Sequence, residues 1–408
     1  MAKQSDFGLC FTGRMSLATP PSGASELFQL LRDGAPRTRA DLARLAGLAR
    51  STVGLRVDEL LAAGLVTTVG DAVSSGGRPA YRFAIDPAAR LLLAVDCGAR
   101  HQSVALCDLA AGILVHDRRR LSIGDGPDAV LGHVIETTGH LLQTIGRPAS
   151  DIVAVGIGLP GPVEHATGRP LHPPIMAGWD GVDVPGWFAD HLGVTTVVDN
   201  DVNIMALGER TIALPGVDDL LFVKVATGIG AGIISGGALQ RGARGTAGDL
   251  GHVRVERGRG VRCECGKDGC LEAIASGAAL ARTLGVSTAE DVAARAQAGD
   301  ARALDAIRQA GRDLGEVLLA CLSLIDPAII VVGSTLAVPA LLDGIDDVLA
   351  DPNLPSDTRA VPVVRSVAGD QAGVIGAASL ARERALSPAG VDAILARQTS
   401  GRRPSAAQ

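Results

Sequence analysis

The stretch RLLLAVDCGARHQSVALCDLAAGILVHDRRR, residues 90–120, opens the part of the chain where strands and helices begin to alternate. Its first segment, RLLLAVDCG, is an apolar run with no polar face, the pattern of a strand buried on both sides. HQSVALCDL and GILVHDRRR follow after short breaks and complete an antiparallel set. Further on, DAVLGHVIETTGHLLQTIG has the helical period, and IVAVGIGLPGPV is a buried strand ending in a Gly/Pro loop. TTVVDNDVNIMALGER passes from strand to helix through Asp199, Asn200 and Asp201. LLFVKVATGIGAGIISGG reads as strand, glycine turn and strand; LIDPAIIVVGSTL repeats the strand-to-glycine pattern, and QAGVIGAASLARERAL is a late helix. This alternation predicts α/β layers.

A chain of 408 residues exceeds what one core supports, so two or three domains are expected. Hydrophobic residues make up 47% and aromatics only 2%, which favours cores of small aliphatic side chains over an aromatic-rich β-sandwich. The N-terminus lacks a basic start followed by an apolar run, and no window approaches the roughly 18 uninterrupted apolar residues of a membrane span. The expectation is a cytoplasmic protein with no membrane partner. Cysteines at 10, 97, 107, 263, 265, 270 and 321 make an odd number, and a reducing cytosol argues against disulfides.

The front of the chain differs from the rest. Residues 1–90 carry eleven Lys/Arg against eight Asp/Glu, net +3, which leaves 27 against 36, net −9, for the remainder. A basic head on an acidic body fits a nucleic-acid-binding module. Residues 1–22 lack periodicity and read as a flexible arm. From 23 to 88 the pattern is a helix with Leu27, Leu30 and Leu31, then TRADLARLAG capped by Thr38 and burying Leu42 and Leu45. A second helix, ARSTVGLRVDELLAAG, follows with Val53, Val57, Leu60 and Leu61 on one face. Two β-prone runs after it, LVTTV and YRFAI, form a wing, the latter with Tyr81, Phe83 and Ile85 on one face. This is a winged helix-turn-helix, with Arg50, Ser51, Thr52, Arg56 and Arg78 as candidate DNA contacts. A small helical bundle with solvated arginines has the same pattern. Residues 387–408 read as a polar, disordered tail.

The segment HVRVERGRGVRCECGKDGC, His252 to Cys270, holds the most specific spacing. His252, Cys263, Cys265 and Cys270 supply an imidazole and three thiolates, the donor set of tetrahedral zinc. Four protein ligands leave no open position, so the metal is structural, one per chain. The segment lacks the ligand spacing and helix of a DNA-reading finger. The turn ATGIGAG offers backbone amides to a phosphate, although hairpins need glycine in any case. The DNDVN run places carboxylates and amides at a strand's C-terminal end, where α/β folds bind ligands; Asp199 there can equally be a helix cap.

GIGLPGPV, DNDVNIMALGE, ATGIGAG, GDLGH and CECGKDGCLE stand in the order and spacing of the ROK family of bacterial repressors, open reading frames and sugar kinases. The chain resembles that family from about residue 90 to 385, and its winged helix resembles the repressor branch. The resemblance implies a two-lobed, actin-like domain over residues 89–386, with the zinc knuckle beside a sugar cleft. It assigns sugar contacts to Asn200, Asp201, Asp249, His252 and Glu272, with Asp249 one methylene shorter than the family's usual Glu. In kinase members the position of Asp201 is the base that deprotonates the sugar hydroxyl. Asp96, Gly98, Thr227, Gly228 and Gly230 fall at phosphate or nucleotide positions, but the loop DCGAR has Arg100 where kinases carry Thr. Phosphoryl transfer depends on positioning, so a long cation there argues against turnover. The expected function is a sugar-responsive DNA-binding regulator, a repressor of carbohydrate-related genes that binds a palindromic operator in double-stranded DNA as a homodimer or homotetramer. The alternative is an ATP-dependent, glucokinase-like sugar kinase with a regulatory head.

Overall fold

The computed structural model describes residues 23–71, 80–173, 176–351 and 360–401; the arm expected at 1–22 and the wing tip with Arg78 lie outside the described residues. The chain forms two compact units, Met1–Ala89 with Ala385–Gln408, and Arg90–Arg384.

In the first unit, α1 (Ala24–Gln29), β1 (Arg37–Thr38), α2 (Arg39–Ala46), α3 (Arg50–Ala62), β2 (Val66–Asp71) and β3 (Tyr81–Ile85) make a winged helix. Its sheet runs β1-β3-β2, antiparallel throughout. Thr38 starts α2 reciprocally: its hydroxyl accepts from the Asp41 amide at 3.1 Å, and the Asp41 carboxylate accepts from the Thr38 amide at 3.1 Å. Gly47, at φ +67°, ends α2 in the left-handed conformation that glycine adopts without strain. α1 and α2 both pack on α3, which buries Val53, Val57 and Leu60 and leaves Leu61 only half-buried. Leu45, expected in this core, is 41% exposed, because the buried stripe of the short α2 passes through Leu42, Ala43 and Ala46. Of the face expected on β3, only Phe83 is buried; Tyr81 is exposed.

Residues 387–408 are not disordered throughout: Pro388–Gly401 is a helix that packs on α1 in this first unit. Leu386, Val391 and Ile394 are buried, Gln29 Nε2 donates to the Leu386 carbonyl at 2.9 Å, and Gln398 Nε2 donates to the Ala63 carbonyl at 3.0 Å. An isolated helix of 14 residues is marginal in water, so docking supplies what propensity lacks. Burial of three aliphatic side chains contributes about 1.5–3 kcal/mol each. Deleting residues 386–408 is therefore expected to lower the melting temperature of the winged helix by about 10 °C or more, read by calorimetry. An unchanged transition would refute the role of this helix.

The second unit holds two five-stranded sheets with one plan. In the first, β4 (Leu91–Cys97), β5 (His101–Cys107) and β6 (Ile113–Arg120) form an antiparallel meander. After α4 (Pro127–Ile145), β7 (Ile152–Leu159) joins β4 in parallel. The small hairpin of β8 (Val163–Glu164) and β9 (Arg169–Pro170) leads to α5 (Val184–Leu192), and β10 (Thr195–Asn200) extends the sheet beside β7. α6 (Asp201–Ala213) then carries the chain into the second sheet, β11 (Leu220–Val225), β12 (Ile229–Ser235), β13 (Ala238–Gln240), β14 (Ile329–Gly333) and β15 (Val363–Arg365). Both sheets are ordered third, second, first, fourth, fifth along the chain, the two-lobed actin-like plan. Between β13 and β14 lie the cysteine knuckle and helices α7 (Leu271–Ala275), α8 (Gly277–Leu284), α9 (Ala289–Gln297) and α10 (Ala301–Ile325). α11 (Pro339–Leu349) precedes β15, and α12 (Ala372–Ala385) follows it.

Each lobe has its own aliphatic core. Between them α6 and α12 cross with almost nothing in the gap. A Cβ added to Gly376 would lie 1.7 Å from the Ile204 carbonyl oxygen, and one added to Gly208 would lie 1.8 Å from that of Ala372. The glycines of VAVGIGL serve the same approach, since a Cβ on Gly156 would lie 1.9 Å from the Ala377 oxygen. Glu209 of α6, fully buried, accepts from Ser366 Oγ at 2.6 Å and from the amides of Val367 and Ala368 at 2.8 and 3.1 Å. It thereby pins the turn that leads into α12. No helix among the described residues is long and apolar enough to cross a membrane.

Candidate functional site

A cleft of about 1710 Å³ opens between the two lobes of the second unit, and the sequence-predicted residues Asn200, Asp201, Thr227, Gly228, Gly230, Asp249, His252 and Glu272 all line it. Asn200 ends β10 and caps α6: its Oδ1 accepts from the Val202 amide at 2.9 Å, and its Nδ2 donates to the Gly161 carbonyl at 3.0 Å. Capping therefore belongs to Asn200, and Asp199 has another task. Asp199, buried, accepts from Arg241 Nε at 2.6 Å and Asn203 Nδ2 at 2.7 Å. Arg241 begins the loop that carries Asp249, so this ion pair ties that loop of one lobe to the strand end of the other.

Asp201, 4% exposed, stands on the first turn of α6. Lys224 Nζ, from the C-terminal end of β11, donates to its Oδ2 at 2.5 Å. Burial works to lower the Lys224 pKa, but Asp201, with Asp96 and Glu272 further off, outweighs it and raises it above the ordinary lysine value. The sequence reading missed Lys224. Its signal was available, since a lone lysine in the otherwise apolar LLFVKV must find a counter-charge when the strand is buried.

The four predicted metal ligands come together. Cys265 Sγ and Cys270 Sγ are 3.7 Å apart, Cys263 Sγ and His252 Nδ1 are 3.8 Å apart, and all four ligand atoms lie within 4.8 Å of one another. Tetrahedral zinc with Zn–S bonds of about 2.3 Å separates its sulfurs by about 3.8 Å. The cluster therefore suits a metal ion of that size and softness. Gly266 and Gly269 turn the knuckle at φ +86° and +88°. Burial and the neighbouring sulfurs push the Cys270 thiol up to about 12, and a dication at the centre reverses that repulsion. Cys97 and Cys107, also pushed up to about 12 by burial, are packing residues.

The knuckle is fixed to the rest of the lobe by Arg257, whose Nε donates to the buried Asp313 of α10 at 2.8 Å. The two sides of His252 then face different ways: Nδ1 towards the cysteines, and Nε2 towards the exposed Asp249 carboxylate at 3.9 Å. Metal on Nδ1 leaves the proton on Nε2, on the Asp249 side. Glu272, on the first turn of α7, accepts from the Ile229 amide at 3.0 Å.

The phosphate positions look different from the sugar positions. Asp96 is buried and the His101 imidazole lies 3.3 Å from its carboxylate, folded over the loop so closely that a Cβ on Gly98 would be 2.2 Å from the ring. Arg100 is exposed at the tip of the same hairpin. In ATGIGAG, the Ile229 amide is given to Glu272, a carboxylate, while Thr227, Gly228 and Gly230 line the cleft. Of the DNA candidates, Arg50 and Ser51 are exposed at the start of α3, Thr52 and Arg56 are half-buried there, and Arg78 is outside the described residues.

A family model described as the ROK family matches residues 92–384. The xylose repressor of Bacillus spizizenii is 26% identical over 367 residues, covering 88% of this chain and 94% of that protein. A crystal structure of a ROK family transcriptional regulator, a homolog of the Escherichia coli Mlc protein, superposes with a TM-score of 0.73 at 26% identity, covering 92% of this chain and 98% of the other. A ROK family glucokinase from Streptomyces griseus, solved with glucose and AMPPNP, superposes with a TM-score of 0.61 at 28% identity, covering 72% of this chain and 99% of its own.

Proposed function

The chain belongs to the ROK family, and from that premise we propose that it is a sugar-responsive, DNA-binding transcriptional regulator that represses carbohydrate-related genes. The observation that carries this reading is the union, in one chain, of a winged helix with a cleft lined by Asn200, Asp201, Asp249, His252 and Glu272. The extent of the likeness to the xylose repressor, through head and body alike, supports it.

In this reading the α3 residues Arg50, Ser51, Thr52 and Arg56 meet DNA, with Arg78 from the wing. A homodimer or homotetramer places two such helices on a palindromic operator. The cleft takes a small sugar, whose hydroxyls pair with amide, carboxylate and imidazole groups. One structural zinc per chain, held by His252, Cys263, Cys265 and Cys270, orients His252 and, one residue past Cys270, the start of α7 with Glu272. Lobe closure about the α6–α12 crossing alters the spacing of the heads; a coupling of about 1–3 kcal/mol makes a useful switch.

Sugar phosphorylation is the competing use of the cleft, and Asp201 is retained for it. Two features weigh against it: Arg100 in DCGAR and the His101 ring over Gly98. The test is a pair of measurements on the full chain. Binding to its own promoter DNA is expected to weaken steeply with salt, to fall about tenfold or more in Arg50→Ala, and to respond to sugar. Sustained ADP release with a sugar and ATP, abolished by Asp201→Asn, would establish the kinase instead.

A further inference from the structure

Lys224 is the one charged residue of β11, whose other members are buried aliphatic or aromatic side chains. Its side chain is 17% exposed and lines the cleft. An ammonium carries three N–H donors. Asp201 Oδ2 takes one, and among the described residues Nζ has no second hydrogen-bond acceptor. Asp201 Oδ1 likewise receives no donor among them. Two unspent donors and an unspent acceptor thus stand side by side at a nearly buried ion pair, where polar groups need partners. Both residues line the cleft.

We propose that Lys224 is a specificity-determining contact of the cleft: with Asp201 it reads one edge of a sugar, Asp201 Oδ1 accepting from one hydroxyl and Lys224 Nζ donating to the oxygen of its neighbour. The inference rests on the sugar-binding reading above and adds a donor to a set of contacts dominated by acceptors. The ligand class is a sugar with a vicinal diol. A cationic amino sugar is disfavoured, because its ammonium would displace a hydroxyl that must accept from Lys224.

The experiment is calorimetry on zinc-loaded full chain with D-glucose, D-xylose, N-acetyl-D-glucosamine and D-glucosamine, then with the monodeoxy derivatives of the tightest binder. Lys224→Met is expected to weaken binding about 10- to 100-fold, the loss of a charge-assisted hydrogen bond. One monodeoxy derivative should bind wild type poorly yet lose nothing further in Lys224→Met, a non-additivity that a packing role would not produce. If the methionine variant fails to fold, Lys224→Gln, which keeps an N–H towards Asp201, should show about a fivefold loss with the same non-additivity. Binding within twofold of wild type, or deoxy penalties unchanged in the variant, would overturn the proposal while leaving the sugar cleft standing. If wild type binds none of the probes, the sugar reading itself falls and takes this one with it.

Discussion

Changing Gly376 to alanine is expected to lower the melting temperature of the full chain by about 10 °C, whereas the same change at Gly139 leaves it unchanged or raises it slightly. The two glycines lie in helices and receive the same methyl group. At Gly139 of α4 an added Cβ meets nothing within 4 Å, so alanine there brings only its better helix propensity, about 0.5–1 kcal/mol. At Gly376 the methyl would lie 1.7 Å from a carbonyl oxygen of α6, which is backbone and cannot rotate away. The helices must separate, and overpacking of this kind costs about 3 kcal/mol or more. Each kcal/mol moves the midpoint of a body of this size by about 2–4 °C. Equal transitions in the two variants would show that the crossing is looser than its backbone contact implies.

The second large effect concerns the knuckle. Cys265→Ser is expected to reduce bound zinc from about one per chain to near none, because structural zinc affinity of about 10–16 kcal/mol depends on all four ligands. His252 then loses the bond that fixes its ring, although the 252–270 loop keeps the Arg257–Asp313 clamp, its backbone hydrogen bonds and the buried Val255. Sugar affinity should fall by a factor of about 100 while the winged helix, a separate unit, still melts as before. Elemental analysis, calorimetry with sugar and thermal unfolding read the three outcomes. Full sugar response in a zinc-free protein would remove the knuckle from the binding site.

Much of this was legible in the residues because local rules and the fold agreed. RLLLAVDCG is a strand whose seven members Leu91–Cys97 are all buried, as a run without a polar face demands. Thr38 caps α2 as its position suggested, and His252, Cys263, Cys265 and Cys270 converge as their spacing required. What escaped depended on long-range neighbours. Nothing near Asp199 in the sequence points to Arg241, which is 42 positions away. Nothing in VAVGIGL itself shows why Gly156 must be glycine; that follows only from α12, whose Ala377 carbonyl presses against it. The helix Pro388–Gly401 was invisible because Val391 and Ile394 carry it only when α1 is there to receive them.

That last helix has a consequence for the order of events during synthesis. The winged helix is discontinuous: its first 89 residues leave the ribosome early, but the segment that covers α1 comes only after residue 384. Until that segment is made, the nascent head exposes the surface that Leu386, Val391 and Ile394 later cover. Its full stability arrives only once residues 386–401 have been made and docked. A product that stops before residue 386, even one that retains the whole cleft, would therefore carry a head whose α1 surface is uncovered and whose fold lacks the support of Leu386, Val391 and Ile394.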